Sequence, residues 1–119
     1  MRKDDDSRER TKQYALRVVR LFQALPNTGE ASVIGKQLLR SGTSVAANYR
    51  EASRGRSRAE VRSKLGIVEQ ELDESLLWLE LLADAQIIDA QRLEPLRAET
   101  DELIRITVAS IRKLRSPPS

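Results

Sequence analysis

The chain has no cysteine and no histidine, and its aromatic residues are one Trp, two Tyr and one Phe. Without Cys or His there are no disulfides, no thiol nucleophile, no imidazole base and none of the usual zinc ligand sets. With aromatics at 3%, a β-sandwich core is disfavoured, because such cores draw on aromatic and β-branched side chains. No stretch approaches the roughly 20 apolar residues needed to span a bilayer. The opening MRKDDDSRER has no apolar segment of the signal-peptide kind. These absences lead us to expect a soluble, cytoplasmic protein with no membrane partner, no metal and no cofactor.

What is present favours helices. Leu, Ala, Glu and Arg dominate, all good helix formers. At 119 residues the chain is one domain's worth, with enough length for a single core. The net charge of +3 conceals a split. Residues 1–64 carry 15 Lys/Arg against 7 Asp/Glu, and residues 65–104 carry 2 against 11. The last stretch, 105–119, is basic again, with 4 against none.

Four helices can be placed, at about 7–25, 30–54, 58–85 and 94–114, with flexible ends at 1–6 and 116–119. Ala15, Val18, Phe22 and Leu25 supply the first apolar stripe, and Pro26-Asn27-Thr28-Gly29 ends that helix with turn chemistry. Thr28 or Ser32 caps the second helix, and Gly55 suits its C-terminal stop. Ser57-Arg58-Ala59-Glu60 has capping-box spacing and opens the third. Pro95 fits the first turn of the fourth. Short connections imply antiparallel neighbours, so the expected fold is all-α, an up-down-up-down four-helix bundle in a single domain, 1–119.

The third helix carries a 4-3 seam of Val61, Leu65, Val68, Leu72, Ser75, Leu79, Leu82 and Gln86. Its second half has more apolar surface than one seam needs, since between Leu76 and Leu82 only Glu80 is polar. The fourth helix repeats the surplus with Leu103, Ile104, Ile106, Val108 and Ile111. A helix apolar nearly all round must be covered on two sides. Leu77, Trp78 and Leu81 are therefore candidates for an interface between copies of the chain.

The second helix does the opposite. Its middle turns, Arg40-Ser41-Gly42-Thr43-Ser44, are small, and Asn48 follows on the seam. A glycine inside a helix costs about 1 kcal/mol relative to Ala, which close approach of another helix would offset. Asn48 needs a hydrogen-bond partner if buried, and Arg40 and Glu51 are placed to pair across helices or subunits. Arg40, Ser41, Gly42, Ser44, Asn48 and Glu51 thus join the helix-packing or oligomer-interface candidates. An active site on Ser41, Ser44, Asn48 and Arg40 has no general base beside the serines. A carboxylate di-iron site on Glu69, Asp73 and Glu80 would want the Glu-x-x-His pairs that the chain cannot supply. No enzyme is expected, and no catalytic residue is assigned.

The segment IGKQLLRSGTSVAANYREA, Ile34 to Ala52, strongly resembles the four-helix-bundle proteins encoded in intervening sequences of bacterial 23S ribosomal RNA genes, with Ile34 where that family often has Leu. The likeness continues through KLGIVEQELDESLLWLELL, Lys64 to Leu82, and RLEPLRAETDELIRI, Arg92 to Ile106. The resemblance implies a ring, typically a homopentamer, with no established enzymatic activity. The family is also similar to accessory proteins of diversity-generating retroelements, which bind nucleic acid and a reverse transcriptase. The number five comes from the resemblance alone.

Two functions stay open. Arg50, Arg54, Arg56, Arg58, Arg62 and Lys64 crowd the turn between the second and third helices, opposed by Glu51 and Glu60. Repeated around an assembly, they would neutralise several phosphates of RNA or DNA at once. Tyr14, Phe22, Tyr49 and Trp78 read as core or interface, so no platform for stacking bases is evident. In the alternative, the protein is an interaction scaffold without nucleic acid, whose basic turn faces the acidic helices of a neighbouring copy or of another protein.

Overall fold

The computed structural model describes residues 3–115. Four helices follow one another: α1 Lys3–Ala24, α2 Gly29–Ala52, α3 Arg58–Asp84 and α4 Ala90–Arg115. They form an antiparallel bundle of 52 × 25 × 19 Å, and no strand occurs among the described residues. Helix α2 packs on α1 and α3, α4 packs on α3, and α1 meets α4 at few points. Helix α1 starts at Lys3, a turn before the expected Ser7, so residues 3–6 are helical. The expected flexible stretches 1–2 and 116–119 lie outside the described residues.

Local chemistry explains the boundaries. Thr28 caps α2, its hydroxyl accepting from the Ala31 N–H. Ser57 caps α3 by accepting from the Glu60 N–H at 3.1 Å, while Glu60 reaches back to the Arg56 N–H rather than to that of Ser57. The capping box is thus offset by one residue. Helix α2 ends at Ala52, and Gly55 stays out of the left-handed region. Gly55 is there for space instead, because a Cβ would lie 2.5 Å from Val61 Cγ2.

The left-handed residue is Gln86, at φ 60°, just past α3. Its N–H donates to Ala83 O and that of Ile87 donates to Leu82 O, the bond pair of a Schellman stop. Gln86 therefore leaves the α3 seam and is exposed. Helix α4 begins at Ala90, not 94, because Asp89 caps it by accepting from the Gln91 N–H. Ile88 and Leu93, at hydrophobic-staple positions across that cap, are both buried in the main core. Pro95 consequently falls in the second turn, where it forgoes the bond to Gln91 O.

The core runs along the bundle through Val18, Leu38, Val45, Val68, Leu72, Leu79, Leu82 and Leu103. Each fully buried aliphatic side chain contributes about 1.5–3 kcal/mol. At mid-length the core is crossed by a polar layer with one residue from each helix: Tyr14, Ser41, Ser75 and Thr100, all buried. Ser41 and Ser75 hydroxyls lie 2.7 Å apart, as do those of Tyr14 and Thr100. Thr100 donates to Leu96 O and Ser75 to Glu71 O, so Tyr14 donates to Thr100 and Ser41 to Ser75. Burial raises the Tyr14 pKa above its usual value, opposed by its bonds to Thr100 and Ser75.

The small stripe of α2 receives α1 of the same chain. A Cβ at Gly42 would sit 2.8 Å from both Val18 methyls, and one at Gly35 would sit 2.5 Å from Leu25 Cδ1. Asn48 finds its partner one turn back, donating to Ser44 O and Ser44 Oγ at 2.9 and 2.8 Å. Arg40 and Glu51 both pair with α3. Arg40 donates to Glu71 and Glu74 at 2.9 and 2.6 Å, bonds that raise its pKa, and Glu51 meets Lys64 at 3.6 Å.

Candidate nucleic-acid interface

An antiparallel bundle brings the N-terminal ends of α1 and α3 to the same pole as the C-terminal ends of α2 and α4. Arg50 and Arg54 leave the end of α2, Arg56 stands in the turn, and Arg58 and Arg62 occupy the first turns of α3. All five are exposed, and Lys64 is half-buried beside Glu51. Arg58 also does structural work. Its Nη2 donates to the Lys113 and Leu114 carbonyls at 3.0 and 3.1 Å, capping the end of α4 with a cation.

Two further contributions to this pole were missed by reading the α2–α3 turn alone. Arg8 and Lys12 of α1 share a groove with Arg50, and Glu9 lies beside them. Arg112, Lys113 and Arg115 form the last turn of α4. The signal for both was available in the charge counts of 1–64 and 105–119 and in the up-down order, which together put these ends side by side.

Beneath the basic rim lies a cavity of about 350 Å³ between the four helix ends. Tyr49, Val61, Leu65 and Ile106 form its walls, and Ser53, Ser110 and Lys113 face it. Ala52 and Leu65 of its lining belong, with Ile111, to a second, smaller core. Tyr49 is thus not only a core residue: its partly buried ring lines this space.

The oligomer candidates divide. Ser41 and Gly42 are buried inside the chain and serve its own helix packing. No substrate could reach Ser41 as a nucleophile, since it has 0% exposure. Leu77 and Leu81 are exposed at 47% and 36%, and Ile67, on the same side of α3, at 36%. Trp78 is partly buried against the main core, with an indole N–H that is buried and unpaired among the described residues. The α4 surplus is absorbed within the chain. Leu103 and Ile111 are buried, and Ile104, Ile106 and Val108 are partly covered. Among the described residues no group of three or more Asp or Glu is placed to hold a metal. No described helix is long and apolar enough to cross a membrane.

The sequence matches the family described as 23S rRNA-intervening sequence protein over residues 3–109. The chain belongs to that family. A solved structure from Bacteroides thetaiotaomicron, described as a protein of unknown function from the S23 ribosomal protein family, is 35% identical. It superposes with a TM-score of 0.86 over 93% of this chain and 99% of its own. None of the curated proteins matches. The family span stops at 109, before Arg112, Lys113 and Arg115, so these basic residues of the pole lie beyond it.

Proposed function

We propose that this protein is a non-enzymatic, self-associating four-helix bundle of the cytoplasm that binds RNA or DNA through its basic pole. One observation carries the reading: four helix ends deliver exposed Arg and Lys side chains to one end of the molecule, while Glu51 and Glu60 are the acids of the α2–α3 turn. Guanidinium groups spread around a turn can fork onto phosphate oxygens from several directions. Copies arranged in a ring, as the family likeness implies for a homopentamer, would repeat the pole and raise the number of phosphates neutralised together.

The test is a fluorescence-anisotropy titration of a labelled ribosomal RNA fragment at increasing salt. Affinity is expected to fall steeply with salt, and replacing Arg54, Arg56 and Arg62 with Ala should lower both affinity and salt slope. No binding at low salt removes the reading.

A second reading is favoured by one feature. The exposed Leu77 and Leu81 are neighboured along α3 by exposed Asp73, Glu80 and Asp84. An acidic, apolar strip of this kind suits the basic pole of another copy, and the charge split would then serve assembly alone. Oligomer dissociation by salt, with no nucleic acid bound at any salt, would establish it in place of the first.

A further inference from the structure

Helix α1 meets α4 at few points, so the bundle has one loose seam. In the half away from the basic pole this seam opens into a hollow of about 240 Å³, lined by Arg17, Arg20 and Leu21 of α1 and by Arg92, Leu93 and Leu96 of α4. That is below the roughly 300–1,000 Å³ of small-molecule sites and suits side chains better. None of the three arginines forms an ion pair among the described residues. The acids along this stretch of α4 are taken, Glu99 by Arg10 and Glu94 and Asp101 by Arg97. Another side of the same half carries the complement. Leu77 and Leu81 stand exposed one turn apart on α3, with exposed Asp73, Glu80 and Asp84 around them. These three acids also form no ion pair among the described residues.

We infer that the hollow receives the Leu77–Leu81 strip of a second copy of this chain. The leucines meet Leu21, Leu93 and Leu96, while Asp73, Glu80 and Asp84 meet Arg17, Arg20 and Arg92. The inference rests on the self-association proposed above and names the two faces that join. Three cations around an apolar floor match three carboxylates around two leucines, sign for sign. The strip fits better here than on a basic pole, where Glu51 and Glu60 stand among the arginines. Joining two different faces is a head-to-tail contact, which makes either a closed ring or an open filament. Height along the bundle decides between them. Tyr14, Ser75 and Thr100 belong to one polar layer, from which α1 and α3 run one way and α4 the other. Counted from that layer at 1.5 Å per residue, Leu77 to Asp84 lie about 3–14 Å along α3, and the residues of the hollow about 5–12 Å along α1 and α4. Copies pointing the same way therefore join side by side with little axial step, which closes a ring and keeps every basic pole on one rim.

The experiment is light scattering, at high protein concentration, on two complementary variants. One reverses the hollow, with Arg17→Glu, Arg20→Glu and Arg92→Glu, and the other spoils the strip, with Leu77→Glu and Leu81→Glu. Each alone has lost one of the two faces and is expected at a single 13.5 kDa. Mixed in equal amounts, they should form a two-subunit particle and nothing larger, since one supplies an intact strip and the other an intact hollow. A hollow variant that keeps the wild-type mass, or a mixture that stays at 13.5 kDa, overturns the pairing while the self-association of the wild type stands. A wild type that is itself a single subunit overturns both. Because the reversed charges can disturb folding, the single variants Arg20→Cys and Leu81→Cys of this cysteine-free chain are also mixed and mildly oxidised. The expected result is a cross-linked dimer that neither variant gives alone. Cross-linking of Leu81→Cys to itself in equal yield would show strip against strip and overturn the inference.

Discussion

The hydroxyls of Ser41 and Ser75 lie 2.7 Å apart in the middle of the bundle, each with no exposure to solvent. This contact joins α2 to α3 where an apolar pair would slide freely, and Tyr14 with Thr100 makes the matching contact between α1 and α4. A hydrogen bond between seam positions fixes register as well as contributing stability. Ser41→Ala and Ser75→Ala should each destabilise the fold by about 1 kcal/mol. Because Ser75 keeps its bond to Glu71 O and Ser41 can turn its proton to Leu38 O, 3.3 Å away, neither deletion strands a donor. A double-mutant cycle in urea should therefore return a coupling of about 0.5–1.5 kcal/mol. Strict additivity would show that the pair contributes nothing of its own.

Gly42→Ala sets two effects against each other. Helix propensity favours Ala by about 1 kcal/mol. The new methyl would lie 2.8 Å from Val18 Cγ1 and Cγ2, and overpacking of this kind costs about 1–3 kcal/mol. Val18 is fully buried and has nowhere to withdraw, so net destabilisation is expected. In a Val18→Ala background the same substitution should become neutral or stabilising, which thermal melts of the four proteins would show. Gly42→Ala that stabilises the wild type would mean that α1 can move aside.

Much of this was readable beforehand, and the particulars show why. Small residues at 41 and 42 announce that something comes close, because close approach is a property of the stripe itself. That the visitor is Val18 of the same chain depends on how α1 lies across α2, which no local pattern carries. Pairing of Arg40 followed the same course: its wish for a carboxylate was legible, and its choice of Glu71 and Glu74 over Glu51 required the helix crossing. Asn48 satisfies itself through Ser44 one turn back, a local bond that removes the need for a partner from outside. The basic turn was visible as a run of arginines. The contributions of Arg8, Lys12 and Lys113 come from sequence-distant helix ends, and the role of Tyr49 as a cavity wall emerges only when those ends surround it.

Gln86 holds a backbone conformation that a side chain disfavours by roughly 1–2 kcal/mol. Gly at this position removes the strain at the end of α3, against some loss of entropy from a freer unfolded chain. Gln86→Gly is expected to stabilise the protein by about 0.5–1 kcal/mol, since the Schellman bonds are all backbone and remain. A lower melting temperature for the variant would indicate that the Gln86 side chain makes a contribution of its own.

The α1–α4 contact should be sensitive to acid. Arg10 donates to both oxygens of Glu99 at 2.8 Å, which holds the Glu99 carboxyl below the usual glutamate range, against a smaller opposing effect of burial. A depressed folded-state pKa gives stability that is present above the unfolded value, about 4.3, and is lost as pH falls through the lower folded value. Arg10 is partly exposed, so the gain is small, under about 1 kcal/mol. Stability measured from pH 6 down to pH 3 should decline less steeply in Glu99→Gln than in the wild type. Parallel curves would mean that the pair contributes nothing net.

The exposed strip on α3 makes the sharpest claim about assembly. Leu77 and Leu81 project from a helix whose seam residues Leu72, Leu79 and Leu82 already fill the core. At 47% and 36% exposure the pair keeps some contact with its own subunit, so each change is expected to cost the fold about 1 kcal/mol, too little to unfold the bundle. If the strip joins copies of the chain, Leu77→Glu with Leu81→Glu places two more carboxylates beside Asp73, Glu80 and Asp84, and buries charge wherever the surfaces meet. Light scattering should then show the variant collapsing to a single subunit of 13.5 kDa with its helical circular dichroism intact, while the wild type scatters as a multiple of that mass. A wild type that is itself a stable 13.5 kDa particle would remove the assembly, and with it the multiplied basic pole.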